Sequence, residues 1–146
     1  MPQVHLARAD TDLVRCFPVI KQLRPHLTES GFVEQAKRQG AQGGYQIAVV
    51  EAAGVVTSVA GFRLSEGLVD GKFLYIDDLV TDEAQRSRGY GDHLFDWLVN
   101  HAREQGCAVL GLESGVQRFD AHRFYLRKRM RISSYHFALP LRDAKS

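Results

Sequence analysis

Residues 86–91, Arg-Ser-Arg-Gly-Tyr-Gly, bring two arginines and two glycines together just before an amphipathic run. A helix starting there would leave its first N–H groups without intrahelical partners and carry a partial positive charge, which attracts anions. Gly89 and Gly91 have no β-carbon to hold an anion off the backbone. Arg86 and Arg88 add full charges beside those dipoles. So many converging donors suit a diphosphate better than a lone carboxylate. Two common phosphate loops fit poorly. A Walker loop needs Lys and then Ser/Thr after its last glycine, where this chain has Asp92 and His93. A dinucleotide fingerprint needs a third glycine where Leu94 stands.

The elements that would hold this loop can be read from hydrophobic periodicity. Residues 3–9 alternate apolar and polar, as a half-buried strand does. Asp10 or Thr11 can cap a helix running to about Leu23, with Pro25 beyond it. A more polar helix is expected from Thr28 to Gln39, ended by Gly40. Residues 45–64 are rich in Val and Ile and break at Ala-Ala-Gly, which predicts a hairpin. Residues 72–81 give a third strand after a turn at Asp70 and Gly71.

The period then changes to 3.6. Leu94, Leu98 and Ala102 share one helical stripe, and Gly106 suits the left-handed residue after it. Residues 107–114 predict a short strand and residues 118–130 a helix. Residues 131–141 predict a final strand or pair of strands. Three successive antiparallel strands leading into strand–helix–strand predict a mixed α/β domain, not a doubly wound parallel sheet.

The motif Arg86-x-x-Gly89-x-Gly91 matches R/Q-x-x-G-x-G/A and resembles the coenzyme A pyrophosphate loop of the GNAT superfamily of N-acetyltransferases. Residues 76–98 resemble that family's fourth strand and third helix, and Ala121, Phe124 and Tyr125 its fourth-helix signature. Residues 133–139 resemble its closing strand. The resemblance implies a GNAT-like fold over a single domain, residues 1–146. Its sheet would be mixed, mostly antiparallel and splayed between strands 4 and 5, with about four helices around it. It also implies acetyl-CoA as the acetyl donor and direct transfer to a primary amine in a ternary complex.

Roles transfer position by position. Arg86, Ser87, Arg88, Gly89, Tyr90, Gly91 and Asp92 would hold the pyrophosphate. The backbone of Leu79, Val80 and Thr81 would pair with the pantetheine arm. The N–H of Val80 would face the thioester carbonyl, whose oxygen gains charge during attack. Tyr125 is the candidate general acid for the departing thiolate, because a phenol is protonated at neutral pH. The candidate base is Asp78, with a water chain as the alternative. Asp77, being adjacent, is expected on the opposite face of a regular strand. Asp77, Glu113 and His122 are candidate substrate contacts. Two departures stand out: Arg118 where the family often has Asn, and Arg129-Met130 where it often has Gly-Phe.

Composition limits the remaining classes. The chain has 146 residues and a net charge of +2, ordinary for one globular domain and too weak for bulk nucleic-acid binding. The basic run Arg127, Lys128, Arg129 and Arg131 reads as a solvated helix end. No run approaches the roughly 20 apolar residues of a membrane span. The N-terminus lacks a secretory h-region, and Cys16 and Cys107 match no metal or redox spacing and read as free thiols. The expectation is a cytoplasmic enzyme without metal, nucleic acid or membrane partner, compatible with a homodimer. The alternatives are a binding module that holds acyl-CoA without turnover, or transfer from another acyl-CoA or to a hydroxyl. The sequence leaves the acceptor open.

Overall fold

The structure is a computed structural model and describes residues 2–142. The chain divides into two compact units, Met1–Leu112 and Glu113–Ser146.

The first unit runs β1 (Val4–Leu6), α1 (Asp10–Leu23), α2 (Glu29–Gly43), β2 (Gln46–Ala52), β3 (Val55–Gly67), β4 (Gly71–Thr81), a single 3-10 turn (Glu83–Gln85), α3 (Tyr90–Glu104) and β5 (Val109–Leu112). The five strands lie in sequence order in one sheet. All neighbours are antiparallel except β4 and β5, which α3 connects as a parallel pair. The β2–β3 hairpin turns on Ala53 (φ 51°) and Gly54 (φ 78°). Two consecutive left-handed residues give the turn whose twist matches that of the strands it joins.

The sheet is covered on both faces. Leu13, Cys16, Phe17 and Ile20 of α1 and Phe32 of α2 bury against Ile47, Val49, Val59 and Val80. Pro18 lies inside α1 without ending it. The Pro18 ring removes one N–H, and the buried residues on either side, Phe17, Val19 and Ile20, hold the helix in place. The amphipathic face of α3 supplies the fully buried Leu94 and Leu98. Phe62 of β3 meets Trp97 and His101 edge-on at 6.2 and 5.6 Å, and those two rings stack at 4.8 Å.

Pairing of β4 with β5 ends at Ile76 opposite Leu112. Residues 77–81 continue with β3 on one side and, among the described residues, no strand on the other, which fits the expected splay. The predicted stop of the second helix at Gly40 is corrected: α2 runs through Gly43, and Gly44 at φ 73° closes it, its N–H donating to the Gly40 carbonyl. Ala41 and Gln42 are good helix formers and carry the helix past Gly40.

In the second unit, α4 covers Phe119–Arg127. It ends in a Schellman arrangement: Arg129 N–H donates to the Leu126 carbonyl and Met130 N–H to that of Tyr125. Arg129 takes φ 69°, a left-handed position that costs a residue with a β-carbon about 1 kcal/mol. The predicted final strand over residues 131–141 is also corrected: among the described residues none of it is paired as strand, and all of it is exposed. Alternation can prepare a segment for a sheet, but a strand exists only where a partner takes its backbone groups. Within the second unit α4 is the one regular element among the described residues.

Candidate active site

The glycine loop follows a firmly held turn. The Asp82 N–H donates to the Thr57 carbonyl at 2.8 Å, and the Asp82 side chain accepts from the Ala84 N–H. Gln22 of α1 donates to the Asp82 carboxylate and accepts from the Glu83 N–H at 2.9 Å. Ser87 (φ 65°) and Gly89 (φ 84°) both take left-handed conformations before α3 starts. α2 is capped by the Thr28 side chain, whereas the N-cap of α3 is Gly89, which has no side chain to cap it. The first backbone bond of the α3 ladder runs from the His93 N–H to the Gly89 carbonyl, and the N–H groups of Tyr90 and Gly91 precede it. Arg86, Ser87 and Arg88 are exposed around this helix start. A β-carbon on Gly91 would stand 3.0 Å from Thr81 Oγ1, so the first turn of α3 rests against the end of β4. The start of α3 and the open edge of residues 77–81 thus adjoin within one unit.

The carboxylates of β4 are arranged by a bulge. Gly61 pairs with Asp78 and Phe62 with Ile76, so Asp77 has no partner of its own on β3. The extra residue resets the alternation. Asp77 receives two hydrogen bonds from Arg63, at 2.8 and 2.9 Å, and the Arg63 guanidinium lies over the Tyr75 ring. Asp78 accepts from the Tyr45 hydroxyl at 2.6 Å and from Arg24 Nε at 3.0 Å, while another Arg24 nitrogen donates to the Asp77 carbonyl. Burial is the largest cause of a strongly raised Tyr45 pKa, followed by the charge of Asp78 and its hydrogen bond, then the charge of Asp77. Both carboxylates thus act on one phenol. The expectation that adjacent aspartates face opposite sides of the strand is corrected, because the ladder is not regular there.

Gly61 is what makes this possible. A β-carbon at that position would collide with the Tyr45 hydroxyl and ring, and would stand 2.7 Å from Asp78 Oδ2. Beside the carboxylate lies a cavity of ≈ 160 Å³ whose walls include Ile20, Arg24, His26, Gln39, Tyr45 and Asp78.

The remaining candidates belong to the second unit. Tyr125 lies on α4, and burial raises its pKa, opposed by the charge and hydrogen bond of Arg118. Its phenol is therefore protonated at neutral pH. Arg118, the departure noted in the sequence, is thus the partner of Tyr125. Glu113 pairs with His136 at 3.0 Å, and a ring nitrogen of His122 lies 2.8 Å from the Gly115 carbonyl. The buried Ser114 hydroxyl has no partner. Tyr45, Arg24, Arg63 and Gly61 escaped the sequence reading. Their relation to β4 spans 14 to 54 residues of chain, and no local spacing signals it.

Comparison with known proteins identifies the family. The model of the acetyltransferase (GNAT) family matches residues 7–130. An uncharacterized N-acetyltransferase of Bacillus subtilis (strain 168), YhdJ, is 32% identical over 86% of this chain and 89% of its own length. An aminoalkylphosphonate N-acetyltransferase of Salmonella typhimurium is 35% identical over 45% of this chain and 43% of its own. Among solved structures, the aminoglycoside N-acetyltransferase AAC(6')-Iy in complex with CoA aligns with a TM-score of 0.81 and 14% identity over 97% of both chains. With a family match over most of its length and N-acetyltransferases among its relatives, the chain belongs to the GNAT family and is an acetyltransferase.

Proposed function

We propose that this protein transfers the acetyl group of acetyl-CoA to the primary amine of a small acceptor by direct attack in a ternary complex. The observation that carries the reading is the uncapped start of α3 between Arg86–Arg88 and the unpaired edge of β4. The pyrophosphate lies on the N–H groups of residues 87–92, where Gly89 and Gly91 leave room for it. The pantetheine arm lies along residues 79–81 as an added strand. The Val80 N–H donates to the thioester carbonyl and stabilises the charge that develops there. The CoA bound in the solved aminoglycoside N-acetyltransferase complex supports the choice of ligand.

The acceptor enters the cavity beside Asp78. A carboxylate has about four acceptor sites, of which Arg24 and Tyr45 use two, so an ammonium can be held by the others. Asp78 takes the amine proton directly or through water, and Tyr125 protonates the departing thiolate. Support for Tyr125 comes from its place in the family's helix pattern and from its protonated state.

At ≈ 160 Å³ the cavity is well under the roughly 300–1,000 Å³ of drug-sized pockets, which favours a small amine. Arg24 and His26 in the same wall favour an amine that also carries an acidic group, as the aminoalkylphosphonate named for one relative does. The test is thiol release from acetyl-CoA with aminoalkylphosphonates, amino acids and neutral amines. Faster release with the acidic amines is expected. Acetyl-CoA binding without release for any acceptor would leave a binding module instead. Release with alcohols alone would move the reaction to oxygen.

A further inference from the structure

Tyr45 stands between two cavities. One is the cavity of ≈ 160 Å³ beside Asp78. The other, of ≈ 210 Å³, has an apolar floor that includes Leu6, Leu13 and Ile47, with Arg8 and Lys37 in its walls. Ala36 and Tyr45 line both.

The position of the ring is fixed from two sides. The Tyr45 N–H donates to the Gln39 carbonyl at 3.2 Å, which ties its backbone to the end of α2 just before β2 begins. Its side chain then crosses Gly61 of β3, where a β-carbon would collide with it, and its hydroxyl donates to Asp78 of β4 at 2.6 Å. The ring therefore lies in the gap between Ala36 of α2 and the sheet, packed against the core. It blocks the passage from one cavity to the other.

We propose that Tyr45 is a specificity-determining residue of the acceptor site, whose ring closes the cavity beside Asp78 and restricts the acceptor to short amines. The inference rests on the acetyl-transfer reading of that cavity. A short acidic amine places its ammonium on Asp78 and its anion near Arg24 and His26. A longer chain has to pass the ring. Without the ring the two cavities join, and together they enter the roughly 300–1,000 Å³ range of larger ligand pockets. The joined space has Asp78 for an ammonium at one end, an apolar stretch in the middle, and Arg8 and Lys37 for an anion at the other. Lys37 shares its charge with Asp10 at 3.2 Å, whereas Arg8 has no ion pair among the described residues. The acceptor class that fits this longer space is an ω-amino acid with an unbranched hydrocarbon chain.

The test is thiol release from acetyl-CoA with β-alanine and with ω-aminooctanoate, read as the ratio of their kcat/KM values. The wild type should favour β-alanine. Tyr45→Phe loses the bond to Asp78 but keeps the ring, so its ratio should stay near that of the wild type. Tyr45→Ala removes the ring, and the ratio should move toward ω-aminooctanoate by about 10-fold or more relative to Tyr45→Phe. Where Tyr45→Ala does not fold, Tyr45→Leu should give a smaller shift in the same direction. Adding Arg8→Gln to the opened variant should reverse part of the gain, because the carboxylate loses its partner. A wild type that uses both acceptors equally well overturns the proposal, and so does an unchanged ratio in a folded Tyr45→Ala protein. Either result leaves acetyl transfer intact. No release with any short acidic amine would instead overturn the transfer reading, and the partition with it.

Discussion

Gly61→Ala is the smallest substitution that disturbs the carboxylate of β4. The new methyl group would occupy the place of the Tyr45 hydroxyl and crowd Asp78 Oδ2 at 2.7 Å. Strand pairing fixes β3 and β4 there, so the Tyr45 ring must move and its 2.6 Å hydrogen bond is lost. A hydrogen bond to a charged group contributes about 1.5–3 kcal/mol, and overpacking a core costs about 1–3 kcal/mol. Together these give a destabilisation of about 2.5–6 kcal/mol. For a chain of this size that lowers the melting temperature by about 8–20 °C. Thermal unfolding followed by circular dichroism measures it. In a Tyr45→Phe background the hydrogen bond is already gone, so the same substitution should cost less by about 1.5 kcal/mol. A Gly61→Ala protein that melts with the wild type would refute the argument. An equal cost in both backgrounds would show that Tyr45 is not coupled to Asp78 through this bond.

Other outcomes follow from the same geometry. Gly89→Val places a side chain in the proposed pyrophosphate space and on a left-handed residue, so acetyl-CoA affinity should fall by about 10-fold or more, read by calorimetry. Tyr125→Phe should lower kcat by about 10- to 1000-fold with acetyl-CoA affinity retained; an unchanged kcat in a folded variant removes the phenol from the mechanism. The Tyr45 phenol is held neutral in the fold, with a pKa above its ordinary value of about 10. The unfolded chain therefore loses this proton first, and stability present below pH ~10 should decline as the pH rises further. Tyr45→Phe should flatten that alkaline decline in melting temperature, and an unaltered slope would contradict the assignment. Burial pushes the Cys16 thiol up to about 12, so Cys107 should react first with a thiol reagent at neutral pH.

Features set by local chemistry were legible in the sequence. The glycine loop could be read because Gly89, Gly91 and the flanking arginines have a direct backbone and charge meaning wherever a helix starts. The α3 stripe and the left-handed Gly106 were legible for the same reason. Features set by a partner element were not. The bulge at Asp77 depends on the pairing of Gly61 and Phe62 on β3, and a period-two reading of one strand cannot see it. Arg24 reaches Asp78 across 54 residues from the end of α1. Residues 131–141 show both sides of this limit. Their alternation was readable, but a strand forms only where a partner takes its backbone groups, and no period within the segment reports one.

The most direct test of acetyl-CoA use is calorimetric titration of the purified protein with acetyl-CoA, with NAD and ATP as controls. Selective micromolar binding of acetyl-CoA, lost in Gly89→Val, is the expected result. A folded protein, free of copurified CoA, that binds none of the three would contradict the assignment of residues 86–92 and the transfer chemistry built on it.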